Sequence, residues 1–275
     1  MPSLSDLVTY TDRFLRIRDI GDWDNALNGL QIENSGRVTR LGAAVDVSTR
    51  VLTEAAKRNV DLLIVHHGLF WPGLQPVRSA LRRQLKLAFE NDIALYSAHL
   101  PLDVHPKIGN NAQLVAALFG GRDGALRRPY QRRAFKSGDM SPQSKFAQPF
   151  LEEKGQPVGL KARVSMPRRD LIRKLRKALG GPLRVFSFGP NQTRTIGIVT
   201  GGAGSEIYWV AREKIDTFIT GEAPHWAAVA AQELGMNLLL GGHYATEVFG
   251  VKALAAHLSK RFGIPWEFID CPTGL

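Results

Sequence analysis

Asp61-Leu62-Leu63-Ile64-Val65-His66-His67-Gly68 is the stretch on which the fold class turns. Leu62 to Val65 form a short, continuous apolar run with no polar alternation. That pattern belongs to a parallel strand covered on both faces. A strand buried on both sides needs helices above and below its sheet, and the flanking sequence provides them. Helical spacing runs over about Thr49 to Arg58 and Ser79 to Asn91, while Leu41 to Val47 and Ile93 to Ser97 read as further buried strands.

Further out, Ser3 with Asp6 has the form of a capping box. It opens a helix to about Ile17 with Leu4, Leu7, Val8, Phe14 and Leu15 on one face. Trp23 to Gln31 is rich in turn formers. Asn110 to Phe119 is a helix stopped by Gly120-Gly121. From Arg122 to Gln156 the periodicity fades into expected loops or exposed hairpins. Val158 to Val164 then reads as a strand, Pro167 to Leu179 as a strongly basic helix, and Leu183 to Phe188 as another strand. Strand–helix alternation resumes at Thr195 to Thr200, with a Gly201 to Ser205 turn. It continues through strands at Asp216 to Thr220 and from Asn237, a helix opened by His243, and a last strand at Trp266 to Ile269. The fold class is α/β with mixed, largely parallel sheets and helices on both faces. The pattern divides into an N-terminal α/β lobe (1–125), a basic middle segment (126–188) and a C-terminal α/β segment (189–275).

Composition narrows the class. Of 275 residues, 44% are hydrophobic and 22% charged, as in ordinary soluble globular proteins. No apolar run approaches the ~20 residues of a membrane span. The first residues lack a basic region followed by an apolar one, so no secretory signal is expected. The lone Cys271 excludes an internal disulfide framework and a Cys-rich zinc site, and fits a reducing compartment; the cytoplasm is the expected location. The formal charge of +11 is concentrated: Leu126 to Phe186 hold sixteen Lys/Arg against four Asp/Glu, leaving twenty against twenty-one elsewhere. Such a segment suits phosphates, nucleic acid or acidic ligands, or is a solvated surface.

Five polar groups fall at expected C-terminal strand ends: Asp46; His66 and His67; His99 and Asp103; Glu222 and His225; His243 and Glu247. Ligands bind at that edge of open parallel sheets. Of seven histidines, only His257 falls inside an expected helix. His243 and Glu247, at i and i+4, share a helical face, so a nitrogen and a carboxylate ligand project together. Separately, the His66-His67 pair can be a hydrogen-bonded turn, and His243 a mere helix cap beside a surface Glu247. Together they and Asp103 make a His/carboxylate metal site, one able to hold two ions. His99, Glu222 and His225 stand either as structural residues or as orienting groups or proton carriers. The Gly201 to Ser205 turn reads either as a phosphate cradle or as a tight connection.

These residues carry a resemblance. Trp23-Asp24-Asn25 with Gly29-Leu30-Gln31, His66 to Trp71, Ser97-Ala98-His99 to Asp103, Gly201 to Ser205, Asp216 to Glu222, Gly242 to Glu247 and the terminal Phe268 to Gly274 are similar to the dinuclear-metal-centre hexameric proteins. This is the NGG-interacting-factor-3-like family, often named GTP cyclohydrolase 1 type 2 homologues. The resemblance implies a two-lobed, three-layer α/β/α fold with metals in the cleft between lobes, and a ring-shaped homohexamer. It implies two divalent ions (Zn, Fe, Mn, Co or Ni): His67 and Asp103 on one, His66 and His243 on the other, Glu247 on both. Two departures stand out. Gly68 replaces a frequent proline, which would loosen the loop holding the histidines, and Leu100-Pro101 replaces the usual threonine and asparagine near Asp103.

The expected function is a metal-dependent hydrolase, with Glu247, His99 and Glu222 in the chemistry. If the family name applies, GTP is opened at its purine ring with release of formate, and the basic segment, with Arg168, Arg169, Arg173 and Lys174, attracts the triphosphate. The expected partners are further copies of the chain, a nucleotide or other phosphorylated small molecule and, less strongly, nucleic acid; no membrane is expected. The alternative is a metal-loaded ring without turnover that carries ions or holds a partner.

Overall fold

The computed structural model describes residues 2–120 and 147–275. It is a mixed α/β protein with two mixed sheets, each with helices on both sides, and the chain divides into two compact units. Part of the loop expected over 122–156 lies outside the described residues.

Unit 1 comprises Met1–Leu102 and Gly250–Cys271. Its strands are β1 (Gly29–Ile32), β2 (Leu41–Asp46), β3 (Leu62–His67), β4 (Ala94–Ser97) and β11 (Trp266–Phe268), in the sheet order β1-β4-β3-β2-β11. The pairings β4–β3, β3–β2 and β2–β11 are parallel, and β1 joins β4 antiparallel. Strand β1 was hidden among the turn formers: only a 3₁₀ turn, Asp24–Ala26, occupies the expected irregular stretch before it. Helices α2 (Thr49–Lys57) and α3 (Ser79–Glu90) cover one face, packing Val51, Leu52, Ala55, Leu81 and Ala88 against Ala44, Leu63, Val65 and Leu95. Alternation sends Leu62 and Ile64 to the other face.

Helix α1 (Leu4–Leu15) begins as its sequence dictates: the Ser3 hydroxyl accepts from the Asp6 amide at 3.1 Å and the Asp6 carboxylate accepts from the Ser3 amide at 3.2 Å. It lies beside the later part of α9 (His243–Phe262), where Tyr10 Oη meets His257 Nε2 at 2.8 Å and Phe14 stacks on the same imidazole at 4.1 Å. Burial, then the charges of Arg261 and Lys260, hold His257 below the usual histidine range. A depressed folded pKa means that stability is present above the unfolded value of about 6.5 and is lost as pH falls through the folded one. His257→Gln keeps a polar group but cannot charge. The stability difference between wild type and this variant, read from urea melts, should therefore shrink steadily from pH 7.5 to 5.

Unit 2 comprises Asp103–Phe249 and Pro272–Leu275. Its sheet has the order β5-β6-β8-β9-β10-β7, made of β5 (Ala147–Glu153), β6 (Gln156–Pro167), β7 (Arg184–Ser187), β8 (Gln192–Ile198), β9 (Thr217–Thr220) and β10 (Asn237–Leu240). Only β8-β9 and β9-β10 are parallel. The other three pairings are antiparallel, so this sheet is mixed, as expected, with its parallel pairs in the interior. The basic middle stretch supplies β5, β6 and β7 to the same sheet as β8 to β10, and the described end of the segment expected to hold loops or hairpins forms the antiparallel hairpin β5–β6. Helices α5 (Asn110–Phe119) and α6 (Arg168–Leu179) bury Leu114, Leu118, Leu171 and Leu175 against Ile196, Ile198, Ile219 and Leu239. Helices α7 (Ile207–Arg212) and α8 (His225–Glu233) bury Ile207, Val210, Ala227 and Ala230. Among the described residues no helix is long and apolar enough to cross a membrane.

Candidate metal centre

Unit 1 gathers three imidazoles at the C-terminal ends of its central strands. His66 and His67 are the last two residues of β3 rather than loop residues after it, and His99 follows β4 by two positions. The ring centroid of His66 lies 4.8 Å from that of His67 and 4.9 Å from that of His99. One ligand atom from each of the three falls within 4.8 Å of the others. Trp71 packs on His99 at 4.6 Å and on His67 at 5.4 Å, and Trp23 meets His99 edge-on at 5.6 Å.

The bonds to these rings share one form. His66 Nδ1 donates to the Ala98 carbonyl at 2.8 Å, and His67 Nδ1 donates to Asp46 Oδ1 at 2.8 Å. Asp46 and His67 are register partners at the ends of the parallel pair β2–β3, so strand pairing itself brings them together. His99 Nδ1 donates to the Asp22 carboxylate at 2.9 and 3.2 Å. A proton fixed on Nδ1 puts the lone pair on Nε2, the arrangement found where a carboxylate or carbonyl orients a metal-binding histidine. His105 shows the contrast. Its Nδ1 accepts from the amides of Lys107 and Ile108 at 3.2 Å, so this histidine shapes a turn.

Unit 2 holds the remaining candidates. His243 opens α9, and Glu247 lies one turn on, with His243 Nε2 3.2 Å from Glu247 Oε1. Here too Nδ1 donates to a carboxylate, Glu222 Oε1 at 2.9 Å. Burial pushes the His243 pKa down, but the bond to Glu247 and its charge, followed by those of Glu222, outweigh burial and raise it to about 9. Glu247 is 3% exposed. Thr246 fixes this turn: its hydroxyl accepts from the Gly201 amide at 3.0 Å and lies 3.0 Å from the Gly242 carbonyl. Asp103 closes the short helix α4 (Leu100–Asp103) and is buried, with Asn110 Nδ2 donating to its Oδ1 at 2.8 Å.

Several expectations are corrected. The Gly201 turn is tied down by internal bonds, as a tight connection requires: the Gly201 amide goes to Thr246, the Gly204 amide to the Glu222 carbonyl, and the Gly201 carbonyl accepts from Gly221 and Glu222. Gly68 does not loosen its loop. The Gln31 side chain fills the space of a Cβ there, lying 2.2 Å from where one would stand, and its Oε1 accepts from the Leu69 amide at 2.8 Å. His225 is the exposed first residue of α8, not a loop residue. Tyr244 is buried. Arg168 is structural: its guanidinium donates to the Gly189 carbonyl, Asn237 Oδ1 and Asn191 Oδ1 at 2.8–3.0 Å. Arg173 pairs with Asp170 at 3.1 Å. Sequence reading missed Asp22, Asn28 and Asn110. Their only signal was polarity in stretches otherwise read as turn or helix.

The donor set suits a cation. Imidazole nitrogens and carboxylate oxygens, with no thiolate, fit divalent transition ions of intermediate softness. Asp46 and Glu222 are placed to act as outer carboxylates that hold the His67 and His243 rings.

A model of the Duf34/NIF3 (NGG1p interacting factor 3) family matches residues 2–273. A GTP cyclohydrolase 1 type 2 homolog of Deinococcus radiodurans is 35% identical over 274 residues, covering 98% of this chain and 94% of that protein. A protein of the same name from Pseudomonas aeruginosa is 37% identical over 272 residues, 98% of each. Among solved structures, TTHA1606 from Thermus thermophilus superposes with a TM-score of 0.80 at 36% identity, over 99% of this chain and 100% of that one. The match spans every element that supplies a candidate ligand, and the chain belongs to the Duf34/NIF3 family.

Proposed function

We propose that the chain is a metal-dependent hydrolase with a dinuclear centre, His67 and Asp103 holding one ion, His66 and His243 the other, and Glu247 both. The observation that carries this reading is the shared preparation of His66, His67 and His243, each with Nδ1 held by an oxygen acceptor so that Nε2 is the nitrogen left to face an ion. Scattered structural histidines have no reason to share one tautomer. Divalent ions bound by such ligands supply Lewis acidity and a water of lowered pKa. The protein's own residues would hold and aim those ligands: Asp46 through His67, Glu222 through His243, and Asn110 through Asp103.

The names of the relatives point to GTP, and a cyclohydrolase reaction on it would add water to the purine ring and release formate. The test is formate release from GTP by metal-reconstituted protein, beside His243→Ala and Glu247→Ala. Turnover in wild type that drops at least a hundredfold in both variants supports the hydrolase; equal turnover in all three marks a contaminant. A second reading, a metal-carrying protein without turnover, is favoured by one observation. Arg168, a group expected to meet phosphates, is taken up in internal bonds. Metal binding with no formate would support it.

The same proposal makes the working unit a homohexamer. Unit 2 carries a surface of the kind subunits bury: Tyr208, Trp209 and Trp226 are each about half exposed, with Tyr208 and Trp226 stacked at 6.2 Å.

A further inference from the structure

We infer that α1 and the last turn of α9 build a second binding site, within unit 1, for a small planar anion: an aromatic ring that carries a carboxylate or phosphate group. The site is a pocket of about 370 Å³, lined by Asp6, Tyr10 and Arg13 from α1 and by Arg261 and Phe262 from α9. That volume falls within the roughly 300–1,000 Å³ of small-molecule pockets. None of these residues is a candidate metal ligand, and the inference stands apart from the hydrolase reading.

Two guanidiniums and one carboxylate set the charge of the pocket, and the carboxylate is already committed. Asp6 Oδ2 accepts from the Ser3 amide at 3.2 Å and from the Ser3 hydroxyl at 2.8 Å. Among the described residues, neither Arg13 nor Arg261 is in an ion pair. Both stand in the last turn of a helix, where a cation offsets the helix dipole. That role asks nothing of their surroundings, yet Arg261 is stacked. Its Cζ lies 5.5 Å from the centre of the Tyr10 ring and 5.6 Å from that of Phe262. A guanidinium held by its face keeps its N–H donors in the plane, set for a two-point grip on a carboxylate or phosphate.

The rings supply the other half of the selectivity. Phe262 meets Tyr10 edge-on, with centroids 5.3 Å apart and planes at 89°. Tyr10 is locked in turn, stacked beside Phe14 and His257 at 5.9 and 5.8 Å, with its hydroxyl 2.8 Å from His257 Nε2. Two fixed rings at right angles make a corner that offers a face and an edge to a flat apolar group. The paired cations beside that corner reject a cationic ring and favour an anionic one.

The test uses the full chain, with its metal as purified. Benzoate, phenylphosphonate and acetate are titrated separately and followed by NMR at the His257 ring, whose signal is identified by its loss in His257→Gln. Benzoate or phenylphosphonate should shift that signal saturably, with Kd on the order of 1 mM for ligands this small, and the tighter of the two names the anionic group. Acetate has the charge without the ring and should bind at least tenfold more weakly. Arg13→Gln and Arg261→Gln should each weaken binding roughly tenfold. Arg261→Lys should do the same, because an ammonium keeps the charge but not the stacked fork. Both arginines are exposed, so these variants should keep the wild-type melting temperature. No shift at His257 at concentrations well above 1 mM overturns the inference. So does acetate that binds as tightly as benzoate, an affinity unchanged in both Gln variants, or full affinity in Arg261→Lys.

Discussion

Gly201→Ala should cost the protein its grip on metal at the His243–Glu247 pair while leaving the fold in place. Gly201 has φ +72°, and a Cβ built there falls 2.2 Å from Glu247 Oε1 and 3.3 Å from both Glu247 Cδ and His243 Nε2. Two penalties separate cleanly. The backbone one, an L side chain at positive φ, is about 1–2 kcal/mol and acts on stability. The steric one acts on the carboxylate, which must move by about 1 Å, enough to take it out of ligand geometry. A four-ligand structural zinc site is worth roughly 10–16 kcal/mol, so a lost ligand costs about 3 kcal/mol, or at least a hundredfold in affinity. Gly235→Ala is the control: φ is +59° and nothing stands within 4 Å of its Cβ, so only the backbone penalty applies. Elemental analysis should find metal depleted in Gly201→Ala and unchanged in Gly235→Ala, with similar falls in melting temperature. Full metal in both would remove Glu247 from the ligand set.

What the sequence displayed, and what it concealed, follows from the range of the interactions. The β3 run, the Ser3–Asp6 cap and the amphipathic α6 are local patterns, and each forms where its residues say. The His66-His67 pair was legible because the strand before it is apolar on both faces, which makes polar residues at its end conspicuous. Strand β1 was not, since its only pairing is antiparallel to β4, residues 29–32 against 95–97, and nothing local favours extension over a turn. Asp22 was invisible for the same reason: it works on His99, 77 positions away, and only the folded chain brings them together. Gly68 misled in the opposite direction. Read alone it signals looseness, whereas Gln31 occupies its missing side chain and braces the strand end that carries both histidines. Local chemistry thus announced which residues are candidate ligands, and long-range packing decided which groups orient them.

Arg168→Glu should destabilise the protein by about 2–4 kcal/mol, whereas Arg169→Glu, at the next position of the same helical turn, should fall within about 0.5 kcal/mol of wild type. The basic helix α6 suggests that its cations are interchangeable parts of one electrostatic surface, but the side chains divide. Arg168 is half-buried and ties together three oxygens: the Gly189 carbonyl, Asn191 Oδ1 and Asn237 Oδ1. Asn237 is fully buried and also bonds the Gly189 amide, the Pro190 carbonyl and Thr217 Oγ1, so it links the β7–β8 connection to the starts of β9 and β10. A glutamate in place of Arg168 removes three charge-assisted bonds and sets a negative group against their acceptors. Arg169 is exposed, and its reversal meets water. In urea melts the Arg168 variant should shift its midpoint well below that of Arg169→Glu, with a fall in melting temperature of roughly 5–10 °C. Substrate measurements made on Arg168 would then report unfolding, and attraction of a phosphorylated ligand by α6 has to be read from Arg169 and Arg176, which are exposed. Equal stabilities for the two variants would mean that the Arg168 bonds contribute nothing net, and would return it to the pool of steering cations.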